Sequence, residues 1–253
     1  MSIDRNLIKD YAIRLGDDSV VLGHRLSEWC RNGPFLEEDL ALTNVALDYI
    51  GRARMFYCYA AQLADDGSTE DSYAYLRDCR DYRNLLIYEL PRGDFAFTMA
   101  RQYLADEYNL AFTEALVGSA DETLAAIADK AVKEGRYHLR RSLDWMLRLG
   151  DGTEESHDRL QRAVDDLWGY TAEFFAMDQL DQQMSDAGIG VDVAGLEAGW
   201  RERVSATLMD ATLDVPKADW SVTGGREGIH TESLGHMLSD MQFMQRAYPG
   251  LKW

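Results

Sequence analysis

Only four prolines, Pro34, Pro91, Pro216 and Pro249, interrupt 253 residues. Proline lacks an amide hydrogen and breaks helix interiors, so the long intervals between them are free to be helical. Apolar residues in those intervals recur at helical spacing. Leu15, Leu22, Leu26 and Trp29 mark a helix over about 11–31, stopped by Asn32-Gly33-Pro34. Leu36, Leu40, Val45, Leu47, Ile50 and Phe56 mark another over about 36–64, ended by Asp65-Asp66-Gly67-Ser68. Segment 70–89 reads as helical but broken. Pro91-Arg92-Gly93-Asp94 is a turn, with Asp94 as N-cap of a helix over about 95–117. Asp121 caps the next, about 122–149, with Leu124, Ile127, Ala131, His138, Ser142 and Met146 on one stripe. Gly150-Asp151-Gly152 ends it, and Thr153 caps a helix that stops before Gly188. A helix over about 193–211, a loop over 212–228 holding Gly224 and Gly225, and a last helix from Leu234 to Met244 complete the chain.

Long helices with short connections predict an all-α helix bundle. Without repeats or linker-like segments, residues 1–253 read as one domain, with later helices packed outside the four long ones. Hydrophobic residues make up 46% of the chain, enough for a core. The charge balance is 26 basic against 44 acidic, a net −18. That excludes a free nucleic-acid surface and an anionic membrane surface, where like charge repels. A phosphorylated substrate would need a local arginine cluster or a partner that supplies the basic site. The three cysteines, Cys30, Cys58 and Cys79, form no CxxC and no disulfide framework, which predicts a reduced, cytoplasmic protein. Charges at Asp4, Arg5, Lys9 and Asp10 with no apolar stretch after them predict no secretory signal. No apolar run approaches the roughly 18 residues of a membrane span.

A bundle of this size invites a test for a di-iron site. Ferritin-like carboxylate proteins place a Glu on each of two helices and a Glu-x-x-His on each of the other two. Residues i and i+3 share a helix face, so both ligands reach the bundle axis. Two literal strings exist, Glu154 to His157 and Glu227 to His230. The first lies in an exposed opening turn and the second among Gly224, Gly225 and Gly228, so both read as chance matches. The inward-facing polar residues are more telling. Asp18, Asp48, Asp106, Glu134 and His138 lie on apolar faces of four core helices. Buried carboxylates need partners, and Arg52, Arg54 and Arg136 are candidate counter-charges. The set reads as a salt-bridge and hydrogen-bond network or as a metal site. Gly51 stands three residues after Asp48 and Tyr137 three after Glu134, so the ligand spacing is incomplete.

Gly224-Gly225-Arg226 lacks the Gly-Lys-Ser/Thr ending of a phosphate loop and reads as a plain loop. His230 and His236 bracket a capped helix start, with Thr231 or Ser233 as the cap. Arg77, Arg80 and Arg83 could face an anion, but Asp78 and Asp81 interleave with them, so a solvated, self-neutralised face is expected. The histidines at 24, 138, 157, 230 and 236 define no catalytic triad.

Three long segments carry a resemblance. Arg14-Leu-Gly-Asp-Asp-Ser-Val-Val-Leu-Gly-His-Arg-Leu-Ser-Glu-Trp-Cys30, the stretch Leu40 to Arg54 and Lys133-Glu-Gly-Arg-Tyr-His-Leu-Arg140 resemble the PaaC family of phenylacetate degradation proteins. The tail from Thr223 to Gly235 resembles it too, and the likeness runs from about residue 11 to Trp253. The resemblance implies a ferritin-like fold and a structural subunit of a ring-1,2-phenylacetyl-CoA epoxidase, a multicomponent monooxygenase of aromatic degradation. It implies that the di-iron centre and phenylacetyl-CoA are held by a homologous catalytic subunit. Electrons come from NADPH through a reductase with FAD and an iron–sulfur cluster. It implies no cofactor or metal on this chain, Asp18, Asp48, Asp106, Glu134 and His138 being the region of a lost iron site. Two partner-facing stretches near the acyl-CoA match Asp81, Tyr82, Arg83 and Asn84, and Gln182, Gln183 and Met184. Two other readings stand beside it. One is a self-sufficient di-metal oxidase using Asp18, Asp48, Asp106, Glu134 and His138. The other is a scaffold unrelated to oxygenases.

Overall fold

The computed structural model describes residues 4–217 and 219–251. The fold is all-α, with ten α-helices and no strand among the described residues, consistent with the ferritin-like class. The chain forms two compact units, one from residues 1–91 and 224–253, the other from residues 92–223.

The first unit is built on α1 (Arg5–Ser27) and α2 (Leu36–Ala64). A short connection makes them antiparallel, and the contacts follow that register: Gly16 faces Tyr57 and Gly23 faces Ile50. Leu22 and Leu26 of α1 and Leu42 and Val45 of α2 are fully buried between them. A Cβ on Gly16 would overlap the Tyr57 ring, so glycine sets how closely the helices approach. The remainder is α3 (Glu70–Tyr75), a 3-10 turn at Cys79–Asp81, α4 (Leu86–Glu89) and, from the chain's end, α10 (Glu232–Ala247). The break expected within 70–89 is therefore real.

The second unit is built on α5 (Phe95–Leu116) and α6 (Glu122–Gly150), also antiparallel. Ser142 of α6 meets Asp106 of α5, and Arg136 meets Glu114 one turn or two further along each helix. Asp94 and Asp121 cap these helices as their sequence predicts, each accepting from first-turn amides. The whole expected stripe of α6, from Leu124 to Met146, is buried. Packed on this pair are α7 (Glu154–Trp168) and α9 (Glu197–Asp210), and between them in the chain runs α8 (Gln179–Asp186). Aromatic rings fill the gap: Tyr108 stacks on Phe174 with centroids 4.5 Å apart, and Phe175 meets Trp200 edge-on at 5.4 Å. The Trp200 indole donates to the Leu104 carbonyl, satisfying its one polar atom.

Several boundaries differ from the expectations above. α1 begins at Arg5 rather than near 11, because the Asp4 side chain caps it, and it ends at Ser27 rather than 31. The single helix expected from Thr153 to Gly188 is three pieces. α7 ends at Trp168, a 3-10 turn spans Thr171–Phe175, and α8 follows. Trp220 packs so closely on Gly169 that a Cβ there would overlap its ring. On α2, Leu36, Leu40 and Leu47 supply apolar periodicity yet are 69%, 55% and 59% exposed. No helix among the described residues is long and apolar enough to cross a membrane.

Two glycine variants separate packing from propensity. The Tyr57 ring is pinned by a hydrogen bond to Asp17 and by stacking on Tyr73. Gly16→Ala is therefore expected to overpack the α1–α2 seam and cost about 1–3 kcal/mol, more than the gain in helix propensity. Gly51, where an added Cβ meets nothing within 4 Å among the described residues, should respond oppositely. Gly51→Ala should stabilise the isolated chain by about 0.5–1 kcal/mol, as read by urea denaturation.

Candidate functional site

The densest polar cluster lies in the first unit, where α1 meets residues 77–90 and 224–233. Asp17 and Asp18 are consecutive on α1, so their side chains diverge by roughly 100°, and each meets a different arginine. Asp17 is fully buried. It accepts from the Tyr57 hydroxyl at 2.6 Å, from the Arg83 amide at 2.8 Å and from both terminal nitrogens of Arg77. The Arg77 guanidinium also lies over the Tyr82 ring, 4.3 Å from its centroid. Burial works against the Arg77 charge, but Asp17 outweighs it and raises the Arg77 pKa. Burial beside Asp17 pushes the Tyr57 hydroxyl well above its usual value, so Tyr57 stays a donor.

Asp18 is held by Arg226 in a two-pronged pair at 3.0 and 2.8 Å, and by the Leu85 amide at 2.8 Å. Burial pushes its pKa up to about 6 despite Arg226. The same arginine donates to the Arg83 carbonyl. Glu89 forms the third anchor and is fully buried. It accepts from the Thr231 amide at 2.6 Å and the Asn84 side chain at 2.9 Å, and it meets His230 Nδ1 at 2.7 Å. His230 Nε2 faces the Tyr82 carbonyl at 3.0 Å. Both ring nitrogens thus face acceptors, an arrangement that suits the doubly protonated ring. Burial lowers the His230 pKa, but the hydrogen bonds to Glu89 and Tyr82 outweigh it and hold it above the usual value. Arg25 of α1 completes the set by donating to the carbonyls of Glu89 and Ser233. Carboxylates whose oxygens are taken up by arginine, histidine and backbone donors have few lone pairs left for a substrate or a metal. The cluster's chemistry is fastening: it binds residues 77–90 and 224–233 to α1.

The expected site residues fall as follows. Asp18 finds its counter-charge in Arg226, not in Arg52, Arg54 or Arg136; Arg54 pairs with Glu70 and Arg136 with Glu114. Asp48 is half-buried on α2. Asp106 is buried on α5, accepting from Gln102 at 2.6 Å and from Ser142 at 2.8 Å. Glu134 is half-buried on α6 beside Lys130, and His138 is buried on the same helix. Asp18 and Asp48 belong to the first unit, Asp106, Glu134 and His138 to the second. Among the described residues no three His, Cys, Asp or Glu side chains group so as to hold a metal ion. The oxygens of Asp18 and Asp106 already accept from protein donors, which leaves these two carboxylates poorly suited to hold iron.

Of the first acyl-CoA stretch, Asp81 is exposed and caps its own turn by accepting from the Asp78 amide. Tyr82 and Asn84 are fully buried, Tyr82 donating to the Ala74 carbonyl. Arg83 is half-buried and donates to the carbonyls of Arg80 and Tyr82. In the second stretch Gln182 and Gln183 are exposed on α8 and Met184 is fully buried. The arginine run is not the wholly solvated face expected from its alternating charges. Arg77 turns inward onto Asp17, while Arg80 is exposed. Glu227 to His230 is no metal string, and the function of its histidine is the bond to Glu89. Thr231 begins α10 without a side-chain cap, its amide going to Glu89 instead. Asp17, Arg77 and Glu89 are the anchors that sequence reasoning misses. For Asp17 a signal exists: Val20 and Val21, three and four positions on, are apolar and buried on its side of the helix.

Removing Arg77 leaves a fully buried carboxylate without its main partner. Arg77→Met should cost about 3–5 kcal/mol in denaturant-unfolding experiments, whereas Arg80→Met, on the exposed side, should cost less than about 0.5 kcal/mol. Asp18 sets a pH dependence. Its folded pKa, about 6, lies above the unfolded value of 3.8, so the folded state holds the proton more tightly. Its contribution to stability therefore falls as pH rises through that window and is smallest at neutral pH. Asp18→Asn should flatten the pH profile of the thermal midpoint between those two values.

Comparison with known proteins places this geometry. Residues 2–253 match the family described as phenylacetic acid catabolic protein. The chain is 49% identical over 248 residues to a protein of Escherichia coli (strain K12) named as one of the subunits of 1,2-phenylacetyl-CoA epoxidase, an alignment covering 98% of this chain and 100% of that relative. A match across the whole length, including α1, the 77–90 segment and the 224–233 turn that clasp one another, means that the chain belongs to the phenylacetic acid catabolic protein family.

Proposed function

We propose that this chain is the non-catalytic structural subunit of a phenylacetyl-CoA ring-epoxidising oxygenase, a cytoplasmic assembly of aerobic phenylacetate catabolism. It pairs with and stabilises a homologous subunit that bears the di-iron centre and holds most of the acyl-CoA. A reductase with FAD and an iron–sulfur cluster supplies the electrons. The observation that carries this reading is the full-length identity to a protein named as a subunit of that epoxidase, joined to carboxylates committed to protein donors. The alternative, a self-sufficient di-metal oxidase on Asp18, Asp48, Asp106, Glu134 and His138, gains no support from any observation.

The surface supplies a matching feature. Leu36, Leu40, Leu47 and Gly51 fall on one face of α2 and leave an apolar stripe uncovered. Glycine in a helix interior costs about 1 kcal/mol relative to alanine. Nothing among the described residues requires Gly51 to be small, so the close approach it permits suits a neighbour. A homologous helical subunit is the neighbour this reading provides. Within the acyl-CoA stretches, Asp81, Arg83, Gln182 and Gln183 are the side chains within reach of a ligand. Tyr82, Asn84 and Met184, being buried, hold them in position.

Size-exclusion chromatography of the chain with the catalytic subunit of its epoxidase tests the proposal. Wild type should co-elute with it, and Leu40→Glu/Leu47→Glu should elute alone while keeping its thermal midpoint. The proposal is contradicted by a wild-type chain that elutes as a monomer beside that subunit.

A further inference from the structure

The segment Lys133 to Arg140 has two sides, and the fold accounts for one. Its inward side, Gly135 and His138, is buried in α6. Its outward side, Lys133, Arg136, Tyr137 and Arg140, is exposed. The outward face continues along α6 to Lys130 on one side and Arg148 on the other. A chain of net charge −18 thus gathers six of its 26 basic residues in these 29 positions, five of them exposed.

The five differ in how they are held. Lys130, Lys133 and Arg136 lie near Glu134, Asp129 and Glu114, at 3.7, 3.1 and 3.0 Å. Exposed pairs of this kind are weak and exchange partners readily. Arg140 and Arg148 form no ion pair among the described residues, although Asp144 stands four positions from each. Their guanidinium groups lie over rings instead, Arg140 over Tyr137 at 5.8 Å and Arg148 over Trp145 at 5.5 Å. Trp145 is itself fixed edge-on against Phe95 at 4.9 Å. Stacking on a ring restrains a long side chain while leaving its N–H groups open to an acceptor. From Lys133 to Arg148 the stripe runs roughly 22 Å along the helix.

We propose that this outward face of α6 is a docking surface for an acidic segment of another protein. Charge complementarity selects the occupant: the chain as a whole carries a net charge of −18, and here ring-backed guanidinium groups present bidentate donors matched to carboxylates. A nucleic acid fits less well, because its long phosphate array would also face the acidic remainder of the surface. The proposal is independent of the assignment to an epoxidase and stands or falls without it.

Fluorescence anisotropy of a labelled oligoglutamate peptide, titrated with the full-length chain at low and at physiological salt, tests it. Wild type should bind, with affinity falling as salt rises. Arg140→Glu/Arg148→Glu should bind about tenfold more weakly or worse, with an unchanged thermal midpoint, since both residues are exposed. Arg140→Gln/Arg148→Gln, which adds no new charge, should fall between them. Absence of binding by wild type, or equal binding by the charge-reversed variant, overturns the proposal. Equal competition by a duplex DNA of matched charge also overturns it, and assigns the face to nucleic acid or to polyanions in general.

Discussion

The first unit depends on a carboxylate that has no access to solvent. Asp17 sits in the middle of α1, fully buried, with four donors around its two oxygens. A charge in that position is costly unless each lone pair is met. Meeting them fixes three other parts of the chain. Tyr57 must stand opposite Gly16, which sets the α1–α2 register. Arg77 must turn inward, which breaks the helical run after α3. The Arg83 amide must point at α1, which lays residues 82–85 along it. Asp18 and Glu89 then fasten Arg226, Thr231 and His230 to the same frame, bringing the start of α10 against residues 82–90. Gly228 admits this because a side chain there would overlap the Arg80 carbonyl.

The same demand for donors bears on activity. In an oxygen-activating bundle, inward carboxylates must leave lone pairs open to metal. Here Asp18 gives its oxygens to Arg226 and Leu85, and Asp106 gives its own to Gln102 and Ser142. The polar residues hold helices in place. A subunit of this kind contributes to an assembly through its surfaces. The uncovered leucine face of α2 and the basic, ring-backed face of α6 are two surfaces whose chemistry its own packing leaves unexplained.

Helices are the most legible part of the sequence. Their apolar spacing, the caps Asp94 and Asp121 and the scarcity of proline put the long elements of both hairpins within a few residues of their observed ends. α1 is the exception, because its first turn is held by Asp4 rather than by any apolar periodicity. The break after Trp168 is hidden because it comes from Trp220, some fifty residues further on, packing on Gly169. The polar cluster is half legible. Asp18 stands out by its phase, but its partner Arg226 lies 208 positions away in a glycine-rich loop with no local signal. The alternation of Arg77, Asp78, Arg80, Asp81 and Arg83 suggests a surface that neutralises itself. Only the tertiary demand of Asp17 separates Arg77 from the other two.

The central claim is that the polar core of this chain is structural and that iron chemistry belongs to a partner. Elemental analysis after anaerobic loading with Fe(II), on the isolated chain and on the chain co-purified with its catalytic subunit, tests it most directly. The account predicts no stoichiometric iron on the isolated chain, and in the complex only what the catalytic subunit binds alone. About two irons per isolated chain, the complement of a carboxylate-bridged site, would contradict it.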